Sequence, residues 1–276
     1  TVYSGDDHKN TIPENARKER AVVTGDTYVE ISGNAHVPVA SHNENDSTSG
    51  SDFPAVYGGS FCSTVHNTEV IIGGNVVIEN GGPNGVAFGY GVVFGAGRDD
   101  IVKGTTFVKL TGDAVIGNDS NTENITNSTV SQKHFSAITP LGRSSTASYM
   151  NGAKGYYTCE IQNIEGKDYA AVAEVNGGSV DVLMAGGRSR NTKQYPNTVS
   201  GNVQLVLSGG TVKAIEAGSI EEKEIRIKGN VDILIKGGTV ERYILGHYPS
   251  FGEIPDPEEN ITGQCTLTFD SCGSAE

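Results

Sequence analysis

The chain has 276 residues, 33 acidic against 20 basic side chains, and a formal net charge of -13. That balance excludes a generic nucleic-acid binder, which needs a basic face, and a polybasic membrane-surface protein; no stretch approaches the roughly 20 apolar residues of a spanning helix. Glycine, at 37 residues, is about double its usual share, while nine prolines without a period exclude collagen and a proline-rich linker.

The chain opens Thr1-Val2-Tyr3 with no Met and no charged-then-apolar leader, as a processed chain or a fragment does. Residues 1–24 read as an N-terminal cap or arm. Pro13 to Arg20 is the one helical segment, with proline placed early as helices prefer. It precedes the first repeat and is positioned to cap that end.

An imperfect repeat follows. Gly201-Asn-Val-Gln-Leu-Val-Leu-Ser-Gly-Gly-Thr-Val212 recurs 28 residues on as Gly229-Asn-Val-Asp-Ile-Leu-Ile-Lys-Gly-Gly-Thr-Val240. Weaker copies start at Gly25, Gly74, Gly104, Gly178 and Gly263. Each reads glycine, a polar residue, then apolar or small residues at alternate positions. Period two specifies a strand with one buried face. The inward set is Val29 and Ile31; Val76 and Ile78; Val108 and Leu110; Val180, Val182 and Met184; Val203, Leu205 and Leu207; Val231, Ile233 and Ile235; Leu267 and Phe269. A second short apolar element follows many copies: 35–37, 114–116, 212–215 and 240–245.

A strand, a glycine corner and a second strand make one coil of a solenoid, which buries its apolar face only when stacked on neighbours. Copies are 23 to 74 residues apart, so some coils carry insertions. The largest, 118–150, is rich in Asn, Ser and Thr and reads as an excursion from the wall. Alternation returns over 156–175 (Tyr157, Cys159, Ile161; Tyr169, Ala171, Ala173) as one or two wall strands. Smaller loops are 39–55, 188–199 and 248–259. Residues 260–276 form a C-terminal strand or cap. No linker splits the chain, so a single domain over 1–276 is expected.

Cys62, Cys159, Cys265 and Cys272 contain no C-x-x-C pair, which argues against a zinc ribbon or a thioredoxin-type site. An even count suits two disulfides in an oxidising compartment. Cys265 with Cys272 would staple the C-terminal end, leaving Cys62 with Cys159; four free thiols are the alternative. Sequons at Asn45, Asn118, Asn124, Asn127 and Asn260 give slight support to an extracellular, glycosylated protein.

Gly74-Asn-Val-Val-Ile-Glu-Asn-Gly-Gly82, Ala55-Val-Tyr-Gly-Gly-Ser60 and Val92-Val-Phe-Gly-Ala-Gly97 resemble the glycine-rich repeats of bacterial adhesin-like β-solenoid surface proteins. The resemblance runs from Gly25 to Leu245. It implies a right-handed parallel β-helix, a secreted or cell-surface location and a structural or adhesive role. It brings no catalytic residues, and the sequons and four cysteines are atypical of it.

β-Helices also carry polysaccharide lyases and hydrolases. Glycoside hydrolysis needs two carboxylates on one face, and Asp99-Asp100 is the best such pair; it reads more simply as a solvated corner after Gly97. The polygalacturonase set is not reproduced: Arg226-Ile227-Lys228 is present, but Gly246-His247 follows it in the wrong order. Outward charges Glu30, Asp181, Asp232, Lys109 and Lys236 fit a solvated face as well as a pectate-lyase-like wall. His36, His42 and Asp46 share a region without metal-ligand spacing. Tyr149, Tyr156, Tyr157, Tyr248 and Phe251 are the candidate interaction surface, for a protein partner or a glycan, or else cover the ends of the stack.

The sequence therefore predicts an all-β right-handed parallel β-helix with loop insertions and a short N-terminal cap. The expected role is a non-catalytic extracellular scaffold or adhesin, with no cofactor or metal. The alternatives are a filament subunit, joined through 1–3 or Cys265 to Phe269, and a polysaccharide-active enzyme or tailspike-like glycan binder. Partners would be other protein subunits or surface glycans.

Overall fold

The computed structural model describes residues 21–38, 55–61, 63–79, 91–117, 136–144, 159–189, 197–218, 225–246 and 261–270. Among them the chain is all-β, with strands β1 to β22 in chain order and no helix. The helix expected over 13–20 lies outside the described residues, as does most of the N-terminal cap. Every strand pairing among the described residues is parallel. Parallel neighbours cannot be joined by a tight hairpin, so the chain travels away from each strand before returning beside it. The sheets are curled, and their strands fall into four columns of shared register.

The first column holds β1 (Ala21–Val22), β5 (Ser63–Val65), β9 (Ile101–Val102), β14 (Glu160–Ile161), β17 (Asn197–Ser200) and β19 (Ile225–Lys228). The second holds β2 (Thr27–Ile31), β6 (Thr68–Ile72), β10 (Thr106–Leu110), the first parts of β15 (Tyr169–Met184) and β18 (Asn202–Glu216), β20 (Val231–Ile235) and β22 (Cys265–Phe269). The third holds β3 (His36–Val37), β7 (Val77–Ile78), β11 (Val115–Ile116), the middles of β15 and β18, and the start of β21 (Thr239–Leu245). The fourth holds β4 (Ala55–Tyr57), β8 (Val92–Phe94), β12 (Ala137–Thr139) and the ends of β15, β18 and β21. At the corner beyond it, β13 (Arg143–Ser144) pairs with β16 (Arg188–Ser189).

The second column explains the alternation in the sequence. Val29, Val70, Val108, Ala173, Leu205, Ile233 and Leu267 are register partners in one row. Ile31, Ile72, Leu110, Val175, Leu207, Ile235 and Phe269 form the next row on the same face. Most of these side chains are buried in one continuous core, with Val29 and Ile31 packed partly against it. Each buried aliphatic side chain contributes roughly 1.5–3 kcal/mol. A third inward row begins Thr27, Thr68, Thr106. The Thr27 and Thr68 hydroxyls donate across the interior to the Gly58 and Gly95 carbonyls, each at 2.6 Å, tying the second column to the fourth.

Several expectations are corrected. The copies at Gly74 and Gly178 begin at the corner before the third column, not at the second. Gly74 packs against Gly33 and Gly112 and has φ 69°, and a Cβ there would meet the Gly33 backbone. The second-column strand of that round is Thr68–Ile72, which the glycine frame passed over. Val180, Val182 and Met184 do not share one face. Val180 and Leu183 join the main core, while Val182 and Met184 join a second cluster with Val92, Phe94, Ala137 and Ala214 on the other side of the fourth column. In that cluster the Tyr57 and Phe94 rings stack at 4.8 Å. Residues 136–144, inside the segment expected to leave the wall, form β12 and β13, and 136–143 are buried. Over 156–175 the expected return to the wall appears as β14 and the start of β15.

Leu205→Ala removes a fully buried side chain from the middle of a row, and the expected loss is about 2–5 kcal/mol. Thr239→Ala, at an exposed strand start, is expected to stay within about 0.5 kcal/mol. Denaturant midpoints at constant slope check both.

Candidate functional site

The Asp99-Asp100 corner is a buried polar site, not a solvated one. Asp99 is 2 % and Asp100 0 % exposed. The turn puts Asp99 at φ 55°, a conformation asparagine and aspartate tolerate better than most residues. Its carboxylate lies 3.8 Å from the Arg98 Nε. The Asp100 carboxylate accepts N–H donation from Gly97 at 3.1 Å and Ser60 at 3.3 Å, and the Cys159 thiol donates to it at 3.4 Å. One side chain thus joins residues 60, 97 and 159, which the sequence keeps far apart.

Beside it runs a register column of Phe61, Arg98, Arg143 and Arg188. The Arg98 guanidinium sits 5.2 Å from the Phe61 ring centroid, within cation–π range. The neighbouring column is glycine for a steric reason. A Cβ on Gly97, Gly142 or Gly187 would be driven into the carbonyl oxygen of Ser60, Gly97 or Gly142 respectively. Of the arginines, Arg98 sets its guanidinium beside Asp99. The chemistry here is that of a clamp, because a carboxylate with no exposed surface cannot meet a sugar.

The Cys159 and Cys265 thiols are both free among the described residues, where no disulfide is found, and the partners expected for them, Cys62 and Cys272, are not among those residues. Cys159 points into the core and spends its proton on Asp100; burial first, then the Asp100 charge, holds its pKa well above the usual thiol value. Cys265 lies on the last strand, and burial followed by the charge of Asp232 raises its pKa. Cys62 and Cys272 lie outside the described residues.

The five outward charges do not form one ladder. Asp181 is 4 % exposed and paired with the Lys213 Nζ at 2.6 Å while accepting the Ser136 N–H at 2.8 Å. On the second column, Lys109 pairs with Glu174 at 3.3 Å. Burial raises the Glu174 pKa, but bonds from Asn176, Ser208 and Lys109 outweigh it and the net shift is downward. Glu30 accepts from the Tyr28 hydroxyl and Asp232 from Tyr169, both at 2.9 Å. They lie in different rows, and Lys236 is exposed beyond the strand.

Among the histidines, His36 bonds Glu79 at 2.8 Å, while His42 and Asp46 lie outside the described residues. His66 bridges Asp26 at 2.7 Å and Glu165 at 3.2 Å. Its bond to Asp26 leads the causes that hold that carboxyl below its usual pKa. No group of three or more His, Cys, Asp and Glu among the described residues has the arrangement to hold a metal ion. No described helix is long and apolar enough to cross a membrane. Tyr149, Tyr156, Tyr157, Tyr248, Phe251 and all five sequons (Asn45, Asn118, Asn124, Asn127, Asn260) lie outside the described residues.

Glu216 is the group that sequence reasoning missed. It ends β18 on the face of the second apolar cluster, in register with Met184 and Leu245. It is 4 % exposed; Oε1 accepts from the Tyr243 hydroxyl at 3.0 Å and Oε2 has no hydrogen-bond partner among the described residues. Burial raises its pKa from 4.5 to about 7, against the opposing Tyr243 bond. The only trace in the sequence is an acid ending the apolar run 212–215.

Between about pH 4.5 and 7 folded Glu216 keeps a proton that the unfolded chain has released. Its contribution to stability therefore falls as pH rises through that window and is flat above it. Glu216→Gln is expected to leave stability at pH 4 unchanged and raise it at pH 8 by about 1–3 kcal/mol, read from urea midpoints at both pH values. In the same assay Asp100→Asn, which weakens the clamp on the buried Gly97 and half-buried Ser60 N–H groups, is expected to cost about 2–3 kcal/mol. Compared with known proteins, the chain matches no family, no curated protein and no solved structure.

Proposed function

We propose that the chain is a single-domain, right-handed parallel β-helix that serves as a non-catalytic extracellular scaffold and displays recognition surface on its inserted loops. The observation that carries this reading is the in-register stacking of like side chains down the second column, from Thr27–Ile31 to Cys265–Phe269. Each round of the chain is then one coil, and burial comes from stacking coils rather than from closing a cavity. The buried polar corner around Asp100 spends its hydrogen-bonding capacity on backbone groups and a thiol, which suits a wall better than a reaction. The net charge of -13 favours solubility of a stack that otherwise offers strand edges. The sequons and the resemblance to adhesin-like surface proteins support the extracellular placement.

Two measurements test the reading. Thr211 and Thr239 are register partners on successive coils, so Thr211→Cys with Thr239→Cys is expected to close an intrachain disulfide quantitatively on mild oxidation; failure to close sinks the stacked-coil architecture. Incubation with a panel of acidic and neutral polysaccharides is expected to release no new reducing ends or unsaturated sugars. Sustained turnover by the purified chain would replace the scaffold reading with the enzyme alternative.

A further inference from the structure

We infer that the last strand, β22, is an interaction surface whose occupant is the first strand, β2, of a second copy of this chain, so that copies join head to tail. This rests on the stacked-coil reading above.

The two ends of the second column are the starting point. Among the described residues β22 pairs only with β20, and β2 only with β6. Register places Leu267 and Phe269 in rows that are buried elsewhere, yet they are 43 % and 62 % exposed. At the opposite end Val22, Val23 and Tyr28 are 61 %, 40 % and 59 % exposed. An edge of unpaired N–H and C=O groups with apolar side chains beside it is a template for another strand.

The ends also match each other. The inward residues of β22 are Cys265, Leu267 and Phe269; those of β2 are Thr27, Val29 and Ile31, position for position in the same rows. Continuing the ladder sets Val29 against Leu267 and Ile31 against Phe269, the type of contact repeated at each interior step. On the outer face it sets Tyr28 beside Thr266 and Glu30 beside Thr268, with no like charges opposed.

A hydrogen-bond ladder at the strand entrance fixes polarity. The Asp26 carboxylate accepts from the Asn67 N–H at 3.1 Å, and the Asn67 side-chain oxygen accepts from Thr105 at 2.8 Å. Further along, Asn202 accepts from Asn230 at 2.9 Å and Asn230 from Gln264 at 2.8 Å. In each of these four steps a side-chain oxygen takes a backbone N–H of the round that follows; between them the Asn202 side-chain amide instead donates to the Asp168 carbonyl at 2.9 Å. The open end at Gln264 therefore presents another side-chain amide oxygen, and the open end at Asp26 presents the next backbone N–H. The acceptor end of one copy meets the donor end of another, which favours a head-to-tail joint over a symmetric tail-to-tail one.

The test uses the full chain with Cys62→Ser and Cys272→Ser. Opposed residues on neighbouring strands lie roughly 4.8 Å apart, inside the roughly 4.4–6.8 Å Cα range of a disulfide. Thr27→Cys falls opposite Cys265 of the next copy and is expected to give a concentration-dependent ladder of covalent dimers and larger species on mild oxidation. Adding Cys265→Ser is expected to abolish the ladder, and adding Phe269→Lys to reduce it at least tenfold. Tyr28→Cys, turned to the outer face, is expected to give less than a tenth of it. Sedimentation of the unmodified chain is expected to show mass rising with concentration. A monomer at all concentrations, a ladder equal for Thr27→Cys and Tyr28→Cys, or only Cys265–Cys265 dimers overturns the head-to-tail joint. These outcomes are read beside the Thr211→Cys/Thr239→Cys control. If the control closes and no ladder forms, the joint alone is overturned; if the control does not close, the coil architecture falls and takes the joint with it.

Discussion

The structure depends on one constraint: each strand satisfies its backbone through parallel neighbours about 4.8 Å away, and those neighbours come from other rounds of the chain. A side chain is therefore never placed alone. It sits above and below its row partners, and the row must be filled with shapes that tolerate such close repetition. Val29, Val70 and Val108, followed by Ala173, Leu205 and Ile233, satisfy this down the middle of the second column. The hydrophobic term and the ladder hydrogen bonds reinforce each other, because the same register serves both.

The corners obey the same constraint with different chemistry. Where backbones approach most closely, at Gly97, Gly142 and Gly187, no side chain fits and the row is glycine. Where a corner leaves backbone N–H groups off the ladder, a carboxylate or amide answers them: Asp100 for buried Gly97 and half-buried Ser60, Asn67 for half-buried Thr105, Asn230 for exposed Gln264. A buried N–H without a partner costs about 1–3 kcal/mol, so Asp100, which takes the buried Gly97 N–H, is as much a part of the packing as the valines. The cross-core bonds from Thr27 and Thr68 extend the logic to the interior.

Legibility in the sequence followed the number of buried faces. The second column has one, so Val203, Leu205 and Leu207 alternate with outward residues and the strand was visible. The fourth column is covered on both sides: Val93 and Ile138 face one cluster, Val92, Phe94 and Ala137 the other. Its strands are short unbroken apolar runs with no period, so Ala137–Thr139 went unrecognised inside a polar insertion. Strands of the first column such as Ile101–Val102 are two residues long, too short to express a period. Glycines marked corners but did not say which corner, and the Gly74 and Gly178 copies were set in the wrong column for that reason. The aspartate pair looked like a solvated turn because its partners, Ser60 and Cys159, lie on other rounds. Cysteine parity suggested disulfides; the thiol of Cys159 instead serves a carboxylate. Glu216 was silent because nothing local distinguishes a buried acid from an exposed one.

In the proposed stack of coils, the joins between rounds are unequal. β15 and β18 share a long ladder running through three columns, from Tyr169/Asn202 to Met184/Glu216. The described residues of the last round reach the one before through the five-residue pairing of β22 on β20, the Ile227–Ile261 bridge and the bonds of residues 262–264 to 227–231. Ladder bonds point along the axis, so tension on the ends loads the junctions between rounds in series. A series of unequal links yields at its weakest. If the coils stack as proposed, a pulled molecule would part at a join such as β20–β22 before the long β15–β18 ladder, a mechanical fuse beside a stiff segment.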